Sequence, residues 1–435
     1  MRSTAAKTMR VHIIYPSWPK LPQQTRFDLP PLGPIQAAAC LPDDVDVTVT
    51  DENVEPVDLD READLVGISM MLTCQTPRGY ELARQLRARG RTVVLGGLAV
   101  ALHEAEAQRH ADAIVVGEAE GLFDVVVRDL AAGRLQPTYR ADPRPDMGLV
   151  PHPRRDLLDK RRHYTHKGWE LVDLVETSRG CRFNCAPCCT PFLGGRVHRV
   201  RPLDRVLEDI RRCSPLLFLV DNSLEQDVEY QKTLFRAMAG LGKRWVSHPI
   251  TVEPEVLRLA RAAGAWYVYH AIYTISPKIR DRIRMLHDHG ILVEGTVLLG
   301  LDDHDEDFIK RFVDFLLTIE LDLAEFTVLT PFPHTAYHRQ LEDEGRIIDR
   351  DWSRYDAAHV VFRPRRMTPD TLQRLYDEAW RAFYADESQT LRMSKLLLPV
   401  LREQRPRRRS APAASPAPEE PRDGPTARGT PRQAG

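Results

Sequence analysis

The chain lacks an apolar run long enough to cross a membrane. Its longest candidates, Val93–Leu102 and Ile291–Leu301, are short and interrupted by glycine or charge, against a requirement of about 20 residues. The basic N-terminus leads only to Val11–Tyr15, too short for a secretory leader, so a cytoplasmic, thiol-reducing setting is the expectation. Net charge is nearly absent. The 61 Lys and Arg against 62 Asp and Glu leave −1, which argues against a whole-chain grip on nucleic acid or an anionic membrane. No RNA-binding module is appended, and the one strong basic run, Arg405-Pro406-Arg407-Arg408-Arg409, sits in a tail. No G-x-G-x-x-G follows the first strand. Tyr15-Pro16-Ser17-Trp18-Pro19 stands there instead, which argues against an NAD-type site. Cysteine is sparse, yet Cys181, Cys185, Cys188 and Cys189 fall within nine of the 435 residues. In a reducing setting such a group reads as metal or redox chemistry before disulfides.

The length suits two or three domains. Over residues 9–135, short strands at Arg10–Tyr15, Asp46–Thr50, Leu65–Ser69, Thr92–Leu95 and Ala113–Gly117 alternate with helix-like segments. That alternation predicts a parallel sheet covered on both faces. Ligands bind such sheets beyond the carboxyl ends of the strands. Those ends carry Ser69 and Thr73, Gly96-Gly97, and Gly117-Glu118, where glycine permits close backbone approach to a ligand. Residues 136–168, rich in Pro and Arg, read as a linker. A second strand–helix series runs from Leu171 to about Phe362 and suits a partial (β/α) barrel with its site at the strand ends. Thr368–Tyr384 and Leu391–Leu401 read as helices. From Gln404 onward Pro, Ala, Arg and Ser dominate, the composition of a disordered tail.

The segment Thr177-Ser178-Arg179-Gly180-Cys181-Arg182-Phe183-Asn184-Cys185-Ala186-Pro187-Cys188-Cys189 follows the first strand of that second series. Three cysteines at C-x3-C-x2-C on a loop can present three thiolates to one face of a cluster. Soft thiolates select iron–sulfur clusters or zinc. Structural zinc usually pairs two knuckles across a spacer, whereas here there is one compact group and adjacent Cys188 and Cys189 do not easily face one metal. The iron–sulfur reading is the better one, with zinc its alternative.

This loop, placed at the head of a partial barrel, resembles the radical S-adenosylmethionine (SAM) superfamily. The preceding domain resembles the cobalamin-binding domain of that superfamily's cobalamin-dependent subgroup. The resemblance covers about residues 9–385 and includes Pro30-Pro31-Leu32-Gly33, Val115-Val116-Gly117-Glu118-Ala119-Glu120-Gly121, Glu176-Thr177-Ser178-Arg179-Gly180-Cys181 and Thr330-Pro331-Phe332-Pro333. It implies an α/β chain. A Rossmann-like cobalamin-binding domain spans 1–140 and a linker 141–168. A radical SAM partial TIM-type barrel spans 169–365, a C-terminal helical region 366–403 and a disordered tail 404–435. It implies that Cys181, Cys185 and Cys188 hold a [4Fe-4S] cluster whose open iron binds SAM. Ser69, Thr73, Gly96, Gly97, Gly117 and Glu118 become the candidates to touch the corrin. The implied activity is C-methylation of a small or medium metabolite by methylcobalamin and SAM, with an external electron donor such as flavodoxin or ferredoxin. A cyclase or rearrangement enzyme, or a cofactor-binding protein without SAM cleavage, is the alternative.

The chain departs from the family pattern at its fourth barrel strand. Tyr269-His270-Ala271-Ile272-Tyr273-Thr274-Ile275-Ser276 carries no Glu where the family has a glycine-and-glutamate pattern, and only Pro277–His289 precedes the next strand. No D-x-H-x-x-G segment supplies a histidine to cobalt. His270 is expected as a core histidine. Glu176, Asp221, His334 and Tyr337 are candidates for the substrate cavity. Asp302, Asp303 and Asp305 with His304 read as helix N-capping rather than a metal patch.

Overall fold

Two parallel sheets of six strands each organise the chain. The computed structural model describes residues 8–20, 27–158, 164–166 and 172–385. The expected helix Leu391–Leu401 and the tail from Gln404 lie outside them.

The first sheet is built from β1 (Arg10–Tyr15), β2 (Asp46–Asp51), β3 (Leu65–Ser69), β4 (Thr92–Gly96), β5 (Ala113–Val116) and β6 (Thr138–Arg140). Their order is β2-β1-β3-β4-β5-β6, all parallel. Valine and isoleucine dominate, since β-branched side chains pack well on a pleated surface. One face buries Ile14, Val66, Ile68 and Leu95, and the other Val11, Ile13, Val94 and Val115. Burial on both faces explains runs with little polar alternation. The order reverses between β1 and β3, the switch point at which ligands enter such sheets. β6 falls inside the segment expected to be a linker. It is three residues long among prolines and arginines, too short to register as a periodic strand. The segment beyond it is also packed, with Met147, Val150, Arg155, Leu158 and Tyr164 buried.

The second sheet holds β7 (Val172–Val175), β8 (Leu216–Leu219), β9 (Arg244–Ser247), β10 (Ala265–Ile272), β11 (Leu292–Leu299) and β12 (Leu323–Val328). They lie in chain order, all parallel, and β7 does not pair with β12, so the barrel stays open. Helices cover its outer face. Several begin with a side-chain cap that satisfies orphan amides: Asp227 accepts from Tyr230, Ser276 from Lys278 and Asp305 from Phe308. Asp305 thus behaves as a cap, but Asp302 instead pairs with Arg346 and Arg365. The helix Pro277–Asp288 has 12 residues, an ordinary length.

Inside the barrel Phe218 stacks on Tyr269 at 5.4 Å, with His248 edge-on to both. Alternation along β10 puts Tyr267, Tyr269 and Ala271 on this inner side. His270 falls on the outer side with Val268 and Ile272, toward the helices. Beyond the strand, Tyr273 is exposed.

Candidate functional site

β7 runs through Glu176 into the cysteine loop, and that loop is held from several sides. Asp221, just past β8, is buried. It accepts the Thr177 amide at 3.1 Å, the Thr177 hydroxyl at 2.8 Å and the Ser178 hydroxyl at 2.5 Å. Burial pushes its carboxyl up to about 6 against those donors. Asp221 therefore buttresses the loop and does not line the substrate cavity. Asn222 accepts the Gly180 amide at 3.1 Å. Gln226 accepts the Arg182 amide at 3.1 Å and donates to the Gly180 carbonyl at 3.0 Å. Gly180 has φ +84°, and a Cβ there would lie 2.1 Å from the Val197 carbonyl oxygen, so only glycine fits. Behind the strand, Arg155 and Arg201 each donate at 2.9 Å to the Leu174 and Glu176 carbonyls, with Asp209 pairing both. Tyr337 is buried, and its amide lies 3.4 Å from the Ala186 carbonyl. No motif announces Gln226, Asp209, Arg155 or Arg201. Their partners lie far along the chain or on backbone atoms.

The three thiols differ in surroundings: Cys181 is buried, Cys188 half-buried and Cys185 exposed. Burial raises the Cys181 thiol, and nearby Cys188 and Cys185 add to the rise. Burial pushes Cys189 up to about 12, which keeps it a neutral thiol beside the loop.

A cavity of about 570 Å³ lies between the carboxyl ends of the two sheets. Tyr15, Ser69, Gly96, Gly97 and Gly117 wall it from the first sheet. Glu176, Arg179, Asn222 and His248 wall it from the barrel. Its inner end is apolar, between Ile13, Gly67, Val94, Val115 and Phe123. Ser69, Gly96, Gly97, Gly117 and Glu118 all reach this wall. Thr73 does not: it is buried, its hydroxyl 3.4 Å from His103 Nε2 and its carbonyl accepting from Thr76. Gly97 has φ +100°, and a Cβ there would lie 2.3 Å from the Met70 carbonyl oxygen. Its glycine is thus demanded first by the chain's own packing. His248 Nδ1 donates to the Asp221 carbonyl at 2.7 Å, and burial lowers its pKa. A neutral imidazole therefore stands on the cavity wall above Phe218 and Tyr269.

Arg179 joins the two walls. It donates to Glu118 at 2.6 Å, Glu120 at 2.8 Å and Glu176 at 2.6 Å. Arg199 also donates to Glu118, so that carboxylate is already engaged by arginines. Burial raises the Glu176 carboxyl while Arg179 opposes the rise. Deleting one partner of such a buried pair costs about 3–5 kcal/mol, because the other charge is left uncompensated. His334, exposed and with φ +63°, does not line the cavity.

The residues present fit the groups that the resemblance implies. Three cysteine sulfurs on one loop are the soft donor set of an iron–sulfur cluster. Among the described residues, no three His, Cys, Asp or Glu side chains converge on one ion position. A cubane seats each thiolate on a different iron, so its ligands stand apart. The apolar inner end and small strand-end residues suit a broad macrocycle at the sheet's switch point. No described helix is long and apolar enough to cross a membrane.

Comparison with known proteins agrees with this geometry. A family model described as the B12 binding domain matches residues 23–127. The chain is 26% identical over 389 residues to the bacteriochlorophyllide d C-12(1)-methyltransferase of Chlorobaculum tepidum, covering 83% of this chain and 84% of that one. It is 25% identical over 372 residues to the hopanoid C-2 methylase of Rhodopseudomonas palustris, covering 77% and 68%. Its fold matches the radical SAM methyltransferase TsrM of Kitasatospora setae, solved with cobalamin and a [4Fe-4S] cluster bound. The TM-score is 0.60 at 16% identity over 85% of each chain. It also matches the cobalamin-dependent SAM radical enzyme OxsB at TM-score 0.53 and 15% identity, over 71% of this chain and 52% of that one. A B12 binding domain is thus matched in the first part of the chain, and the two-sheet fold is shared along most of its length with these cobalamin-dependent radical SAM enzymes.

Proposed function

We propose that the chain is a cobalamin-dependent radical SAM C-methyltransferase acting on a small or medium metabolite at an unactivated carbon. One observation carries the reading. The glycine-lined strand ends of the first sheet and the barrel wall beside the cysteine loop face a single cavity of about 570 Å³. A substrate held there addresses both cofactors without leaving, which is how an enzyme gains from orientation. The methyltransferase and methylase names of the relatives support carbon methylation.

When bound, the cluster with SAM supplies radical chemistry and cobalamin supplies the methyl group. Cys181, Cys185 and Cys188 would hold the cluster as thiolates, and Asp221, Asn222 and Gln226 keep their loop in place. Ser69, Gly96, Gly97 and Gly117 would meet the corrin, with Gly67 opening the apolar end. Phe218, Tyr269 and neutral His248 close the barrel side against water. An external one-electron donor such as flavodoxin or ferredoxin completes the proposal.

The test is product analysis. The chain is reconstituted anaerobically with iron, sulfide and cobalamin, then given reductant and methyl-labelled SAM. 5′-Deoxyadenosine and S-adenosylhomocysteine above a Cys181→Ala control are the expected result. S-Adenosylhomocysteine alone would replace the radical reading with methyl transfer to nucleophilic carbons, the alternative raised by the missing Glu at the end of the fourth strand. Neither product from a fully loaded chain, with candidate substrates supplied, would sink the enzyme reading.

A further inference from the structure

We propose that Arg179 is a positioning residue that couples the two cofactor sites, so that loading the cysteine loop tightens cobalamin binding and the reverse. The inference rests on the cofactor reading above. Arg179 lies two residues before Cys181 on the same loop. Each of its three guanidinium nitrogens donates to a different carboxylate: Nη1 to Glu118 at 2.6 Å, Nη2 to Glu120 at 2.8 Å and Nε to Glu176 at 2.6 Å. Glu118 and Glu120 belong to the loop after β5, whose Gly117 and Ala119 wall the first-sheet side of the cavity. Glu176 belongs to the barrel. One planar group therefore spans both walls.

The charges around it leave little slack. Glu118 gives its other oxygen to Arg199, and Arg144 stands 3.8 Å away. Three arginines thus meet three carboxylates, with Arg179 and Glu118 almost fully buried. A guanidinium engaged along its whole rim cannot follow one wall without the other, because its donors are fixed in one plane. Displacing either loop would strand a buried charge. A ligand that orders the loop after β5 therefore orders the residue leading into Cys181. Coupling between two binding sites is reciprocal by linkage.

The test uses the full chain and aquocobalamin as probe. Cobalamin is titrated by its visible absorbance, anaerobically, into chain with a reconstituted cluster and into chain without iron. In the wild-type chain the cluster is expected to lower the cobalamin Kd by about fivefold or more, the low end of ordinary couplings. Glu120→Gln keeps the side-chain volume and removes one charge of the bridge. Arg179→Lys keeps the charge and removes the fork. Each is expected to bring the ratio of the two Kd values to within about twofold of one, the loss of a coupling of that size. Circular dichroism and iron content identify folded, loaded variants, and Glu120→Gln serves if Arg179→Lys does not fold. A wild-type ratio of one, or a ratio in Glu120→Gln as large as in wild type, overturns the proposal. A chain that takes up neither cobalamin nor a cluster overturns the cofactor reading and this inference with it.

Discussion

Asp221 accepts both the amide and the hydroxyl of Thr177, at 3.1 and 2.8 Å, across the gap between the ends of β7 and β8. The same oxygen takes the Ser178 hydroxyl at 2.5 Å. One buried carboxylate therefore satisfies three donors immediately before the cysteine loop.

Asp221→Ala is expected to leave those donors without an acceptor, at about 1–3 kcal/mol for each group that stays buried. The loop should lose its fixed start, and iron and sulfide content after reconstitution should fall severalfold. Asp221→Asn keeps one acceptor oxygen and should load closer to wild type. Iron and sulfide per chain decide it: equal loading of the alanine variant and wild type would show that the loop forms without this anchor.

Gly67 separates a ligand requirement from a packing requirement. A Cβ there would lie 3.4 Å from the Phe123 ring and 3.7 Å from Ile13, ordinary contact distances. Gly67→Ala should therefore fold and bind cobalamin, whereas Gly67→Leu should fold but fill the apolar end of the cavity and lose cobalamin uptake. Gly97→Ala should behave differently. Its positive φ and the Met70 carbonyl 2.3 Å from the added Cβ predict a loss of stability of about 1–3 kcal/mol before any ligand is involved. Thermal melts with cobalamin titration check both. Normal uptake by Gly67→Leu would place the corrin elsewhere.

Much of this was legible in the sequence because the signals are local. Short β-branched runs between helical segments announced both sheets, and the spacing of Cys181, Cys185 and Cys188 needed no tertiary information. Side-chain destinations were not legible. Glu118 and Arg179 are 61 residues apart, and nothing in either segment alone says that they meet. Thr73 reads as a strand-end hydroxyl, yet it turns away toward His103. The outward face of His270 follows from the register Tyr269↔Glu294, and a one-residue slip would exchange the faces. β6 was hidden because three residues cannot display a period.

Acid should weaken the fold through buried histidines. His103 is buried with its ring centroid 4.6 Å from that of Trp352. Burial first, then His334 and His338, lowers its pKa to about 4. An unfolded chain binds this proton near pH 6.5, while the folded chain binds it only near 4. Between those values the unfolded state holds more protons, so stability is full above about 6.5 and falls as pH drops toward 4. A depression of that size corresponds to about 3 kcal/mol, and His12, also lowered to about 4 by burial, adds in the same direction. The urea midpoint should be lower at pH 5 than at pH 7, and His103→Gln should shrink that difference. An unchanged difference would remove His103 from the account.

His334 gives a comparison in which the ring cancels. It holds φ +63° directly before Thr335, whose hydroxyl accepts the His338 amide at 3.1 Å and caps the next helix. An L-residue in this left-handed region costs about 1–2 kcal/mol through its Cβ. Glycine escapes that cost but loses about 0.5–1 kcal/mol through its freer unfolded chain. His334→Ala and His334→Gly both delete the imidazole and its tilted approach to Phe192, 6.3 Å between centroids. They differ in the Cβ alone. The glycine variant should therefore melt higher than the alanine variant, by the surplus of the first term over the second. Because the cap residue Thr335 is untouched in both, equal melting temperatures would mean that the backbone relaxes out of the left-handed region once the ring is gone. The imidazole itself would then be what holds His334 in place.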